Sequence, residues 1–181
     1  MISELLRVGV GLCTMVLPRP LRVGLFAWQG VVTISKVTEM NDKYREAEGF
    51  ALNMGKPLLV VGGPYGSPIN MTFGFKAHGC GDVCMDLDAR ACRSCPTVIG
   101  DIRDIPFSDG YFGAAYASHV VEHLPTVADG IKAVEELYRV ADRVWILAPS
   151  KQDIFGGWIH TGHHLWVKQD GLGNVWIEQR G

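Results

Sequence analysis

The chain has 181 residues (19.8 kDa), 17 Lys+Arg against 19 Asp+Glu, a formal net charge of -2 and a pI near 6.3. A domain of this size buries enough apolar surface to fold without metal or disulfide, and the balanced charge excludes nucleic-acid binding through a broad basic face. With 48% apolar and 20% charged residues, intrinsic disorder is excluded as well.

The chain opens with an apolar arm, residues 1–37. Between Leu5 and Val37 the charged residues are Arg7, Arg19, Arg22 and Lys36. The apolar runs Val8–Leu17 and Val23–Ile34 are each about 10–12 residues, short of the roughly 20 that span a bilayer. Pro18 and Pro20 separate them and are expected to break a continuous helix. A secretory leader fits poorly, because Glu4 lies in the n-region and no small-x-small cleavage site follows. Two readings stay open. The arm lies in a membrane interface with Arg7, Arg19, Arg22 and Trp28 at headgroup depth, or it packs on the protein's own core or a partner subunit.

Residues 38–181 form the second unit. Polar and apolar residues alternate with helical spacing over Met40–Met54, and Gly55-Lys56-Pro57 ends that helix. Leu58–Val61 is a buried-type strand running into Gly62-Gly63-Pro64-Tyr65-Gly66, followed by a loop or helix to about Gly79. Further strands are expected at Val83–Leu87, Thr97–Gly100 and Gly110–Ser118. Thr126–Val140 reads as a helix with Val127, Ile131, Val134, Leu137 and Tyr138 on its inner face. A fifth strand covers Val144–Ala148. Leu165–Val167 and Asn174–Glu178 form a terminal antiparallel pair around Asp170-Gly171-Leu172-Gly173. Short buried strands alternating with helices predict an α/β fold: a doubly wound, mostly parallel, Rossmann-like sheet with a terminal hairpin.

In such sheets ligands lie beyond the carboxyl ends of the strands. The informative residues are therefore the glycine turn after the first strand, Asp86 after the second, Asp101 and Ile102 after the third, and Ser118, His119 and His123 after the fourth. A carboxylate at the end of the second strand can accept both hydroxyls of a ribose; its ordinary alternative is a solvated turn acid or helix cap. His119 and His123 read as general bases or as satisfied polar contacts, and Glu122 as a structural hydrogen-bonding group. Cys80, Cys84, Cys92 and Cys95 are expected to be reduced, buried thiols in a cytosolic protein rather than a zinc site, since Cys80 and Cys84 flank a strand. His160, His163 and His164 read as a loop at the site mouth and as further candidate bases, and Trp158 as part of a mobile lid; no metal site is expected.

The stretch Gly100–Leu124, GDIRDIPFSDGYFGAAYASHVVEHL, resembles the class I S-adenosylmethionine-dependent methyltransferases, most closely the type 11 subgroup. The resemblance covers about Lys56–Ser150. It implies that Gly62, Gly63 and Gly66 line the methionine end of S-adenosylmethionine and that Asp86 holds its ribose. It places Asp101 and Ile102 at the adenine, with Ser118 and His119 facing the reactive side. The pattern is degenerate: Val60 stands where the family carries an acid, Pro64 at the middle glycine, and Gly113 where an Asp often follows the Phe. The expected function is methyl transfer to a small-molecule, lipid or membrane-proximal acceptor in a cytoplasmic protein, peripheral to a membrane or docked to a partner through residues 5–35. The alternative is an inactive accessory subunit of the same fold.

Overall fold

The computed structural model describes residues 18–66, 72–74, 76–149 and 162–180. The N-terminal run to Leu17, Trp158 and His160 therefore lie outside the described residues.

Helix α1 (Arg19–Met54) is unbroken over 36 residues. As expected of prolines, the helix that carries the second apolar run begins at them; the first run, Val8–Leu17, lies outside the described residues. Pro18 is the N-cap residue and Pro20 lies in the first turn, where a missing N–H costs nothing and a fixed φ suits the helix. The division expected between residues 37 and 38 therefore falls inside α1. The C-terminal half buries Met40, Tyr44, Ala47 and Ala51, whereas the N-terminal half leaves Val23, Phe26, Trp28, Val31 and Ile34 exposed. Among the described residues no helix is long and apolar enough to cross a membrane.

Strands β1 (Leu58–Val61), β2 (Val83–Asp86), β3 (Thr97–Ile99), β4 (Phe112–Ser118) and β5 (Ala141–Leu147) form one parallel sheet in the order β3-β2-β1-β4-β5. The order reverses between β1 and β4, which makes the crevice beyond their carboxyl ends the switch point. Side chains alternate across the sheet. Leu58, Val60, Cys84, Ala114, Tyr116 and Trp145 pack under Tyr44, Ala47 and Ala51 of α1. Leu59, Val61, Met85, Ala115, Ala117, Val144 and Ile146 pack with helix α2 (Val127–Val140) and with Leu165 and Val167. The small residues of β4 let both layers close on a fully buried strand.

Helix α2 starts where Thr126 accepts the Asp129 N–H at 3.1 Å, a side-chain N-cap. Of the expected face, Leu137 is buried and Val127 and Val134 pack against the core, but Ile131 and Tyr138 are exposed, and Gly130, Ala133 and Val140 complete the buried stripe. The small residues face inward because the hairpin β6 (Leu165–Gln169) and β7 (Val175–Gln179) lies over them. A Cβ on Gly130 would come within 2.9 Å of Leu165 and 3.2 Å of Ile177.

The reduced-thiol expectation is overturned. Cys80 is bonded to Cys95 and Cys84 to Cys92. Cys80, ahead of β2, and Cys84, within it, both find a partner in the segment that folds back after the strand, around the 3-10 turn Ala89–Cys92. The pairing removes the ground on which a cytosolic setting was expected, because disulfides persist in oxidising surroundings.

Candidate functional site

The glycine turn leaves β1 at the switch point. Gly62 has φ +85, and a Cβ there would lie 2.6 Å from the Ser118 carbonyl and 2.3 Å from a Val120 methyl. Gly63 is crowded by the neighbouring segment, its Cβ position lying 2.1 Å from the Ala91 carbonyl oxygen. These two glycines thus admit the chain's own backbone, and only glycine fits. Gly66 is exposed, with one neighbour at 3.2 Å, the Gly63 oxygen. Pro64 offers no N–H, and Val60 is fully buried among apolar side chains, so no charged partner stands at either position.

Asp86 ends β2 beside this turn. Its Oδ2 accepts the Gly63 N–H at 2.9 Å and its Oδ1 the Asp88 N–H at 2.9 Å. The carboxylate is only partly buried, so each oxygen keeps accepting capacity toward solvent. Asp101, beyond β3, is gripped by Arg103. The guanidinium donates to both carboxylate oxygens, at 2.6 Å from Nη2 and 3.0 Å from Nε, and also reaches Asp129 at 2.8 Å. The Arg103 hydrogen bonds hold the Asp101 carboxyl below the ordinary range. Ile102 is 4% exposed and belongs to the core beneath that loop.

Beyond β4, Ser118 is buried and His119 takes a left-handed conformation, φ +56. That turn directs the chain into the 3-10 turn Val121–His123. His119 Nδ1 lies 3.0 Å from Glu122 Oε1, and Glu122 is 1% exposed. Burial alone would raise the Glu122 carboxyl. The hydrogen bond from His119 and the nearby His123 outweigh it and hold the group below its usual value. With Glu122 accepting from Nδ1–H, Nε2 is the ring nitrogen of His119 that Glu122 leaves unengaged. His123 is exposed, with Nδ1 2.8 Å from the Gly162 carbonyl.

His119 also lines a cleft of about 980 Å³ between α1, the end of β5 and the terminal hairpin. Its walls are largely apolar, with Trp28, Val31, Met40, Ile146, Pro149 and Trp166, while Lys36, Glu39 and Lys168 supply charge. The arm and the site are thus parts of one surface, which nothing in the local sequence of either predicts. Sequence reasoning also misses that His163 lies 4.0 Å from Glu122. The adjacent Glu122-His123 pair is the available signal; its third member sits 40 residues on.

Residues 71–143 match the family model described as a methyltransferase domain. No curated protein matches the chain. Among solved structures, one similar chain belongs to the complex between the Haloferax volcanii Trm112 methyltransferase activator and a methyltransferase. It shares 18% identity at a TM-score of 0.35, over 63% of this chain and 55% of that one. CalS10, a Micromonospora echinaspora amino pentose methyltransferase solved with S-adenosylmethionine, shares 22% identity at a TM-score of 0.38, over 59% and 46%. The trans-methyltransferase CalH shares 16% at 0.37, over 59% and 36%. The chain thus spans about half or less of the length of these solved chains. Residues 71–143 thus match a methyltransferase domain, and the parallel sheet with its switch point between β1 and β4 is a Rossmann-like fold.

Proposed function

We propose that this domain binds S-adenosylmethionine across the carboxyl ends of β1, β2 and β3 and transfers its methyl group to an apolar acceptor seated in the cleft beside His119. The observation that carries the reading is Asp86. It stands at the end of β2 next to the glycine turn, with one backbone donor on each oxygen and remaining capacity for two ribose hydroxyls. The residues fit the cofactor at this end. At the aminoacyl end Gly66 is open, while Pro64 and Val60 withhold the contacts the family pattern supplies.

When bound, the cofactor supplies an activated methyl group on a sulfonium, so much of the catalysis is alignment. The chain's own residues then have distinct tasks. Asp86, at the end of β2, orients the ligand beside the exposed Gly66. Asp101, held by Arg103, offers a fixed acceptor beside Ile102. Glu122 fixes the His119 tautomer, so that Nε2 can take a proton from an acceptor hydroxyl or amine. The exposed apolar residues of α1 continue one wall of the cleft, which favours a lipid-like or membrane-proximal acceptor.

Pro64 and the buried Val60 favour a second reading, an accessory subunit that keeps the fold without turnover. Calorimetric titration with S-adenosylmethionine and S-adenosylhomocysteine separates the two. Micromolar binding is expected. No binding at millimolar ligand would refute the enzymatic reading and leave the accessory one.

A further inference from the structure

We propose that Glu122, His123 and His163 form a binding site for one divalent transition-metal ion at the rim of the cleft, next to His119. One ligand atom from each residue lies within 4.8 Å of the other two, and Glu122 Oε1 is 4.0 Å from His163 Nε2. The imidazoles of His123 and His163 meet edge to face with ring centroids 4.6 Å apart.

The Glu122 carboxylate is the informative group. It is 1% exposed, and its Oε2 has no hydrogen-bond partner among the described residues. A buried carboxyl oxygen without a partner is costly, and such groups are paired or hold a cation. The surroundings have the form of a ligand shell. Glu122 Oε1 is oriented by His119, and the His123 ring by the Gly162 carbonyl through Nδ1. Metal-ligating side chains are held in this manner by carbonyls and by neighbouring polar groups. The backbone fixes the juxtaposition, because the His164 N–H donates to the Glu122 carbonyl at 2.7 Å.

Two imidazoles and one carboxylate suit a first-row divalent ion and leave coordination positions open to water or an acceptor oxygen. Tetrahedral bonds of about 2.0–2.1 Å require ligand atoms about 3.4 Å apart. The 4.0 Å pair needs a small contraction, and the exposed His123 ring can supply the rest. The cysteines do not compete, since four of them are paired.

The test is equilibrium dialysis of the untagged full chain against Zn²⁺ without reductant, with Co²⁺ absorption as the second readout. One equivalent is expected, with d–d bands and no thiolate charge-transfer band. Glu122→Gln, isosteric at a buried position, and His123→Ala, at an exposed one, should each weaken binding by at least about tenfold. A stoichiometry far below one, a thiolate band, or unchanged affinity in the folded His123→Ala protein would overturn the site.

Discussion

Gly63→Ala tests the packing on which the glycine turn depends. The new Cβ would stand 2.1 Å from the Ala91 oxygen, 2.2 Å from the Ala91 carbonyl carbon and 2.7 Å from the Cys92 nitrogen. All three are backbone atoms, so no side chain can rotate away, and more than about 1 Å of main-chain movement is needed to restore van der Waals contact. That main chain is tethered. The Ala91 carbonyl accepts the Tyr65 N–H at 3.0 Å, and Cys92 is fully buried and bonded to Cys84. Retreat would break the Tyr65 hydrogen bond, worth about 1 kcal/mol, on top of overpacking strain of about 1–3 kcal/mol. The expected loss is therefore about 2–4 kcal/mol, read as the shift of the guanidinium unfolding midpoint at constant slope, without reductant. Two controls separate geometry from the general effect of adding a methyl. Gly66→Ala, with one contact at 3.2 Å, should cost less than about 1 kcal/mol. Gly49→Ala, inside α1 with no atom within 4 Å, should stabilise by about 0.5–1 kcal/mol. A loss below about 1 kcal/mol for Gly63→Ala would refute the close approach of the Ala91 segment to the turn.

Asp86→Ala should weaken S-adenosylmethionine binding by roughly 10–100-fold, the scale of lost hydrogen bonds to a charged group, and unchanged affinity in calorimetry would remove Asp86 from the site. His78 is 6% exposed between Tyr44 and Tyr116, and burial pushes its imidazole down to about 4. The folded state resists protonation while the unfolded chain accepts it near pH 6.5, so stability is full above that pH and falls as pH drops toward 4. Between pH 7 and pH 5 the wild type should lose about 2 kcal/mol more than His78→Phe, and parallel pH profiles for the two proteins would exclude this role. Four of the five cysteines should resist alkylation until a reductant is added, read by mass spectrometry; labelling of Cys84 or Cys92 in the native, unreduced protein would contradict the pairing.

Much of the sheet is legible in the sequence because its determinants are local. Leu58–Val61 and the later strands are short apolar runs ended by Gly, Asp or Pro, and the Asp170–Gly173 turn announces the hairpin. The order Gly62-Gly63, Asp86, Asp101, His119 along the chain places each residue just past a strand end, where a parallel sheet collects its ligands. Helix α1 is longer than the Met40–Met54 stretch its pattern suggests, because the apolar arm after Pro20 continues the same helix, while the prolines mark its start. The buried face of α2 departs from its apolar pattern because the hairpin that covers Gly130 and Ala133 comes later in the chain and selects small residues over the larger Ile131 and Tyr138.

The sequence by itself determined the strands and the turns between them, since side-chain period and turn chemistry act within a few residues. Only the tertiary structure decided which cysteines pair, that the apolar arm walls the same cleft as His119, and that His163 comes to lie against Glu122. Those contacts join groups far apart in the chain. They depend on how the sheet, the long helix and the hairpin close on one another, and no local pattern carries that information.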